Sequence, residues 1–97
     1  MDVRHVDRKL ERLEVDETYN VGFSVDIVRA YRKVMGVIRA AVDERAFYAM
    51  KSLHYEKLKG KRSHQRSMRL NNQFRLILQI TTQGRKTAAI VSIEDYH

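Results

Sequence analysis

The chain has 97 residues, 43% of them hydrophobic, with four glycines, no proline and no cysteine. That length and composition predict one globular domain, 1–97, with a modest core, and they exclude a disulfide framework or a thiolate zinc site. The formal net charge is +7, and it lies entirely in one quarter of the sequence. From Lys51 to Arg75 the chain carries Lys51, Lys57, Lys59, Lys61, Arg62, Arg66, Arg69 and Arg75 against the single acid Glu56, while bases and acids cancel elsewhere. Cationic surface concentrated in this way meets a polyanion, and for a small protein the commonest polyanion is nucleic acid. The apolar runs are short and the charged N-terminal segment lacks a signal-peptide core, so a cytoplasmic protein without membrane contact is expected.

The first 17 residues allow two readings, a short exposed helix over Asp7–Leu13 or a first strand around Val3–Val6. His5 and His64 read as surface residues. Glu17 to Phe23, with Asn20 and Gly22, reads as a loop. Ser24 then offers an N-cap hydroxyl with Asp26 in the first turn, and Ile27, Tyr31, Val34, Met35, Ile38, Ala41 and Val42 form one apolar stripe at helical spacing. The expected element is an amphipathic helix of about five turns. Gly36 inside it costs about 1 kcal/mol relative to alanine and suggests a close approach to a neighbouring backbone. Asp43 or Glu44 starts a shorter helix that turns Ala46, Phe47 and Met50 inward; Tyr31, Phe47 and Phe74 read as core.

After Leu53 the pattern changes. Lys59-Gly60-Lys61-Arg62-Ser63 forms a basic turn, followed by three runs with strand character at Arg66–Leu70, Phe74–Thr81 and Thr87–Ile93. Asn71-Asn72 and Gln83-Gly84-Arg85-Lys86 supply the two hairpin turns. The expected fold class is therefore α+β, with N-terminal helices packed on one face of a C-terminal antiparallel β-sheet. Alternation along the central strand turns Arg75 away from the face of Phe74, so the basic segment becomes a basic face of the sheet.

Chemistry is suggested by Asp95-Tyr96-His97, which brings together a carboxylate, a phenol and an imidazole where the last strand leaves the sheet. Cleaving RNA through its 2′-hydroxyl needs a base for that hydroxyl, an acid for the leaving 5′-oxygen and cations for the charge that develops on the phosphoryl oxygens. Histidine suits either proton task, lysine and arginine supply the cations, and tyrosine offers a ring on which a base can stack. With no cysteine and no histidine pair at helical spacing, no metal and no cofactor are expected.

Leu58-Lys59-Gly60, then Ser67-Met68-Arg69-Leu70-Asn71 leading to Phe74-Arg75-Leu76, then Ile93-Glu94-Asp95-Tyr96-His97, resemble the HigB-type branch of the RelE-like bacterial toxins. The resemblance extends from Ser52 to His97; before that only the helical character agrees. It implies a compact RelE-like fold, ribosome-dependent cleavage of mRNA in the decoding site, and a HigA-like helix-turn-helix antitoxin through which alone operator DNA is reached. By position, the family's basic active-site residues fall on Lys59 and Arg75, and its C-terminal trio on Asp95, Tyr96 and His97. Several members carry a histidine two residues before the Leu-Lys-Gly, where this chain has Glu56. The general base is therefore open among Glu56, His97 and Asp95, and His54, two residues earlier still, is not assigned that role. Lys51, Lys57, Lys61, Arg62, Arg66 and Arg69 are the residues expected to contact RNA, with Arg69 open to a structural pairing at the turn instead. The rival readings are a non-enzymatic inhibitor of a protein target such as gyrase, as in the ParE branch, and a plain nucleic-acid-binding module.

Overall fold

A computed structural model describes residues 1–82 and 84–95; Gln83, Tyr96 and His97 lie outside the described residues. In chain order the elements are β1 (Asp2–His5), α1 (Arg8–Val15), α2 (Val25–Ala40) and α3 (Arg45–Ala49), followed by β2 (Glu56–Lys57), β3 (Arg66–Arg69), β4 (Phe74–Thr81) and β5 (Thr87–Asp95). Single 3₁₀ turns at Lys51–Leu53 and Gly60–Arg62 bracket β2. The N-terminal segment thus holds both elements that the sequence allowed there, a strand and then a helix. Asp7 starts α1 by accepting from the Lys9 N–H at 2.8 Å, and Ser24 caps α2 by accepting from the Ile27 N–H at 3.3 Å.

The five strands are ordered β1-β5-β4-β3-β2. The three strands expected from the sequence form an antiparallel meander, which two short strands extend. β2 adds antiparallel to β3, and β1 adds parallel to β5. A parallel neighbour needs a long crossover, and α1 to β4 together supply it.

Helices cover one sheet face. Leu10 and Leu13 of α1, Tyr31, Met35 and Ile38 of α2, and Phe47 of α3 pack with Met68, Leu76, Leu78, Ala88 and Ile90. Tyr31 ties the two long helices together by donating its hydroxyl to the Leu10 carbonyl at 2.8 Å, and burial pushes its phenol well above the usual range. Tyr55 is buried against Phe47, with ring centres 5.2 Å apart, and donates to Glu44 at 2.7 Å.

Five local expectations are corrected. Val42 is 86% exposed, because α2 stops at Ala40 and the extended backbone of Ala41 takes the chain off the helical phase. Met50 is likewise exposed, lying just past the end of α3. Phe74 is only half-buried and packs edge-on against Phe23 at 5.8 Å. His5 is not a surface residue: its side chain is 5% exposed, with Nε2 3.2 Å from Glu14, since β1 runs beneath α1. The Glu14 carboxylate also accepts two hydrogen bonds from Arg39, at 2.6 and 2.8 Å, and these hold its carboxyl below the usual range.

The fifth correction concerns Gly36, which approaches no neighbouring backbone: it faces solvent, and a Cβ built there meets nothing within 4 Å. Gly36→Ala therefore removes a helix penalty without a clash. The variant is expected to be more stable by about 1 kcal/mol, which raises the thermal midpoint by roughly 4–8 °C in a domain of this size, as measured by circular dichroism.

Candidate nucleic-acid interface

The sheet face away from the helices is organised by strand register. In antiparallel pairs, directly opposed residues share a face. Arg75 of β4 lies opposite Arg69 of β3 and opposite Glu94 of β5. The neighbouring row holds Glu56, Ser67, Ile77 and Ser92. His54, in the turn before β2, stands with Nε2 3.5 Å from Arg69 Nη1 and so extends this line of residues beyond β3. One row therefore crosses four chain segments as His54, Arg69, Arg75 and Glu94.

Each member of the row is held by local chemistry. Asn71 builds the β3–β4 turn by accepting from the N–H groups of Gln73 and Phe74 at 2.8 and 2.7 Å. Arg69 donates to Asn72 in the same turn, so it does take part in the structural pairing weighed for it, and its Nη1 stands 3.5 Å from His54 Nε2. Arg75 Nη1 donates to the His54 carbonyl at 3.1 Å and to Ser67 Oγ at 3.3 Å. His54 closes the Lys51–Leu53 turn with φ 46° and ψ 51°, a left-handed conformation that histidine adopts more readily than most side chains.

Glu94 is gripped from outside the sheet. Arg62 donates to both its carboxylate oxygens, at 2.9 and 2.6 Å, and to Gln65 at 2.9 Å; Ser92 donates to Glu94 at 2.9 Å. The Arg62 fork is the main reason that the Glu94 carboxyl sits below its usual range. Arg62 is thus committed to a bidentate pair and not simply extended toward a partner.

Not all the basic residues share this face. Arg66 lies opposite Leu78, on the helix side, with Nε 3.9 Å from Glu44 and Nη1 donating to the Ser63 carbonyl at 3.1 Å. Asp95 lies opposite Phe74, also on the helix side, and accepts from Gln73 at 3.0 Å. Lys51, Lys57, Lys59 and Lys61 are exposed, as is Glu56 in the row next to Arg75. Lys59 precedes the Gly60–Arg62 turn and its carbonyl accepts from the Arg62 N–H at 3.4 Å. Tyr96 and His97 fall outside the described residues. Residue-by-residue reading of the sequence passed over His54, because its place beside Arg69 depends on how β2 pairs with β3; the usable signal is the antiparallel register and not any local motif.

No protein-family model matches the sequence, and no curated protein matches it significantly. Solved structures do share its architecture. A YoeB/ParE toxin from Agrobacterium tumefaciens superposes with a TM-score of 0.60 at 13% identity, covering 100% of both chains. The conserved hypothetical protein HP0894 from Helicobacter pylori superposes with a TM-score of 0.55 at 12% identity, over 99% of this chain and 94% of its own. What is shared at such low identity is the fold, and the compact RelE-like fold expected from the sequence is the one observed.

The Arg62–Glu94 pair gives a pH prediction. Glu94 has its folded-state value lowered from an ordinary 4.5, so the pair contributes stability above that pH and loses the contribution as pH falls through the folded value. In Arg62→Ala the Glu94 carboxyl is expected to titrate closer to 4.5, and the acid-side loss of stability should shrink. NMR titration of the Glu94 side-chain carboxyl carbon in both proteins measures this.

Proposed function

We propose that this protein is a HigB-type toxin of a type II toxin–antitoxin pair, a ribosome-dependent endoribonuclease that cuts mRNA without a metal. The observation that supports the reading most is the direct opposition of Arg69 and Arg75 across β3 and β4 on the helix-free sheet face, among exposed lysines and within a fold shared with a YoeB/ParE toxin. Two arginines directly opposed on one face present donors that a single anion can bridge. A phosphodiester is such an anion, and it brings the atom to be attacked with it.

In the proposed reaction the 2′-hydroxyl attacks the neighbouring phosphorus. Arg75 and Lys59 stabilise the charge that builds on the non-bridging oxygens, the largest single contribution in most reactions of this kind. His97 exchanges the proton at one end of the displaced bond, Tyr96 stacks on a base, and Asp95 orients its neighbours in the terminal trio. Glu56, one row from Arg75, is a further carboxylate able to accept the hydroxyl proton. Lys51, Lys57 and Lys61 dock the protein on ribosomal RNA, with Arg69 as their fixed counterpart on this face, whereas Arg62 is held by Glu94 and Arg66 stands on the helix side. The partner that neutralises it is a HigA-like helix-turn-helix antitoxin, and the site of action is the cytoplasmic ribosome.

A second reading has one observation in its favour, since the name of the Agrobacterium tumefaciens protein joins YoeB and ParE. On that reading the basic face inhibits a protein target such as gyrase without cleaving anything. Mapping transcript 5′ ends after induction separates the two. New 5′ ends within translated mRNA are expected with the wild type, whereas double-strand DNA breaks with intact transcripts would support the inhibitor. Arg75→Ala, and separately removal of His97, should relieve growth arrest and lower cleavage by roughly 10²- to 10³-fold, with the circular dichroism spectrum retained. A variant without His97 that is as toxic as the parent would remove the tail from the site.

A further inference from the structure

Resting on the mRNA-cleavage reading, we propose that Arg62 is a positioning residue and not an RNA contact: clamped to Glu94, it holds the basic turn that carries Lys59 against the helix-free face of the sheet. Counting charge along the sequence sets Arg62 among the residues that meet RNA, but its surroundings give it another task. Each of its three guanidinium nitrogens donates within the protein, Nε to Gln65 at 2.9 Å and Nη1 and Nη2 to the two Glu94 oxygens at 2.9 and 2.6 Å.

Those partners lie well apart in the sheet. Gln65 directly precedes β3 and Glu94 belongs to β5, with β4 between the two strands, so the anchors are separated by two strand spacings, about 10 Å. Alternation from Ser67 places Gln65 on the helix-free face as well. Between the anchors lies the row of Ser67 and Ile77, which are 1% and 0% exposed although the helices pack on the other face. A side chain whose head spans from Gln65 to Glu94 passes over that row, and an arginine stem covers what it crosses. Arg62 thus accounts for burial that no helix provides.

The same residue is the hub of its turn. The Arg62 N–H donates to the Lys59 carbonyl at 3.4 Å, the Ser63 N–H to the Gly60 carbonyl at 3.1 Å, and the Gln65 N–H to the Arg62 carbonyl at 2.8 Å. Gly60 supplies a left-handed φ of 66°, so the chain reverses directly after Lys59, and displacement of Arg62 carries Lys59 with it. Lys59, Lys61 and Arg62 in one turn also repel the arginines of β3, and Glu94 is the anion that offsets this repulsion. With the Arg62 side chain 43% exposed, the pair adds little to global stability. Its effect is geometric, because a bidentate fork fixes direction as well as distance.

Arg62→Gln, Glu94→Gln and the double variant, which keeps the wild-type net charge, are compared with the wild type in two measurements. One is single-turnover cleavage of ribosome-bound mRNA; the other is amide hydrogen exchange at Ser63 and Gln65 in the free protein. Each single variant is expected to keep its circular dichroism spectrum and to exchange these two amides faster. Each should lose roughly 10- to 100-fold in maximal rate, with the half-saturating concentration little changed. The double variant should be no slower than either single one, since both substitutions remove the same clamp. Arg62→Lys keeps the charge but not the fork and should also be slow; cleavage by it at the wild-type rate would overturn the proposal. So would weaker binding in Arg62→Gln and tighter binding in Glu94→Gln at an unchanged maximal rate, which is the signature of a direct RNA contact. Additive losses in the double variant, or wild-type exchange at both amides, would overturn it too. A wild type that leaves ribosome-bound mRNA intact would instead bring down the cleavage reading, and the exchange measurement then decides the clamp by itself.

Discussion

The register of β4 against its two neighbours is the constraint on which the rest of the molecule depends. Side chains alternate along a strand, so a slip of one residue exchanges the faces of the whole element. In the observed register Leu76 and Leu78 are fully buried under the helices, and Arg75 emerges on the other side between Arg69 and Glu94. Burial of the leucines therefore fixes the place of the arginine. A slip that exposed Arg75 differently would also expose the core, which couples the geometry of the basic face to the stability of the fold.

A bulge completes this arrangement. Ile77 pairs with Ser92, but Leu78 pairs with Ile90, so β5 carries an extra residue at Val91. Ile90 and Ile93, three positions apart, can then both face the helices, opposite Leu78 and Leu76. Without the extra residue their odd spacing would put them on opposite faces. The same offset sets Glu94 beside Arg75 and carries Asp95 to the helix side.

That offset explains much of what the sequence did and did not disclose. Alternation in Phe74-Arg75-Leu76 revealed the outward arginine, the turn residues revealed both hairpins, and the apolar stripe from Ile27 revealed α2, because each signal is local. The bulge is not local, and without it Asp95 read as a companion of Arg75. Pairing of β1 with β5 joins the two ends of the described chain, so nothing near His5 announced that it would be buried. The split between Arg66 and Arg69 was available in principle, since residues three apart on a strand face opposite ways; counting charge along the segment concealed it. His54 was the least legible, because its neighbours Arg69 and Arg75 are defined only by two successive strand pairings.

The resolved basic segment is also not one patch of equivalent charges. Its four arginines are all engaged: Arg62 with Glu94, Arg66 with the Ser63 carbonyl, Arg69 with Asn72 and Arg75 with the His54 carbonyl. Its four lysines are exposed. This division follows the chemistry of the two side chains, a planar fork that can be fixed from several directions and a compact charge on a flexible stem. Fixed guanidinium groups present hydrogen-bond donors in set directions, while the charge of the flexible lysines is readily screened by salt. Glu94 adds direction to the fixed part. Its carboxylate, taken up by the Arg62 fork, closes the β5 end of the row, while Arg69 and Arg75 make the β3 end cationic.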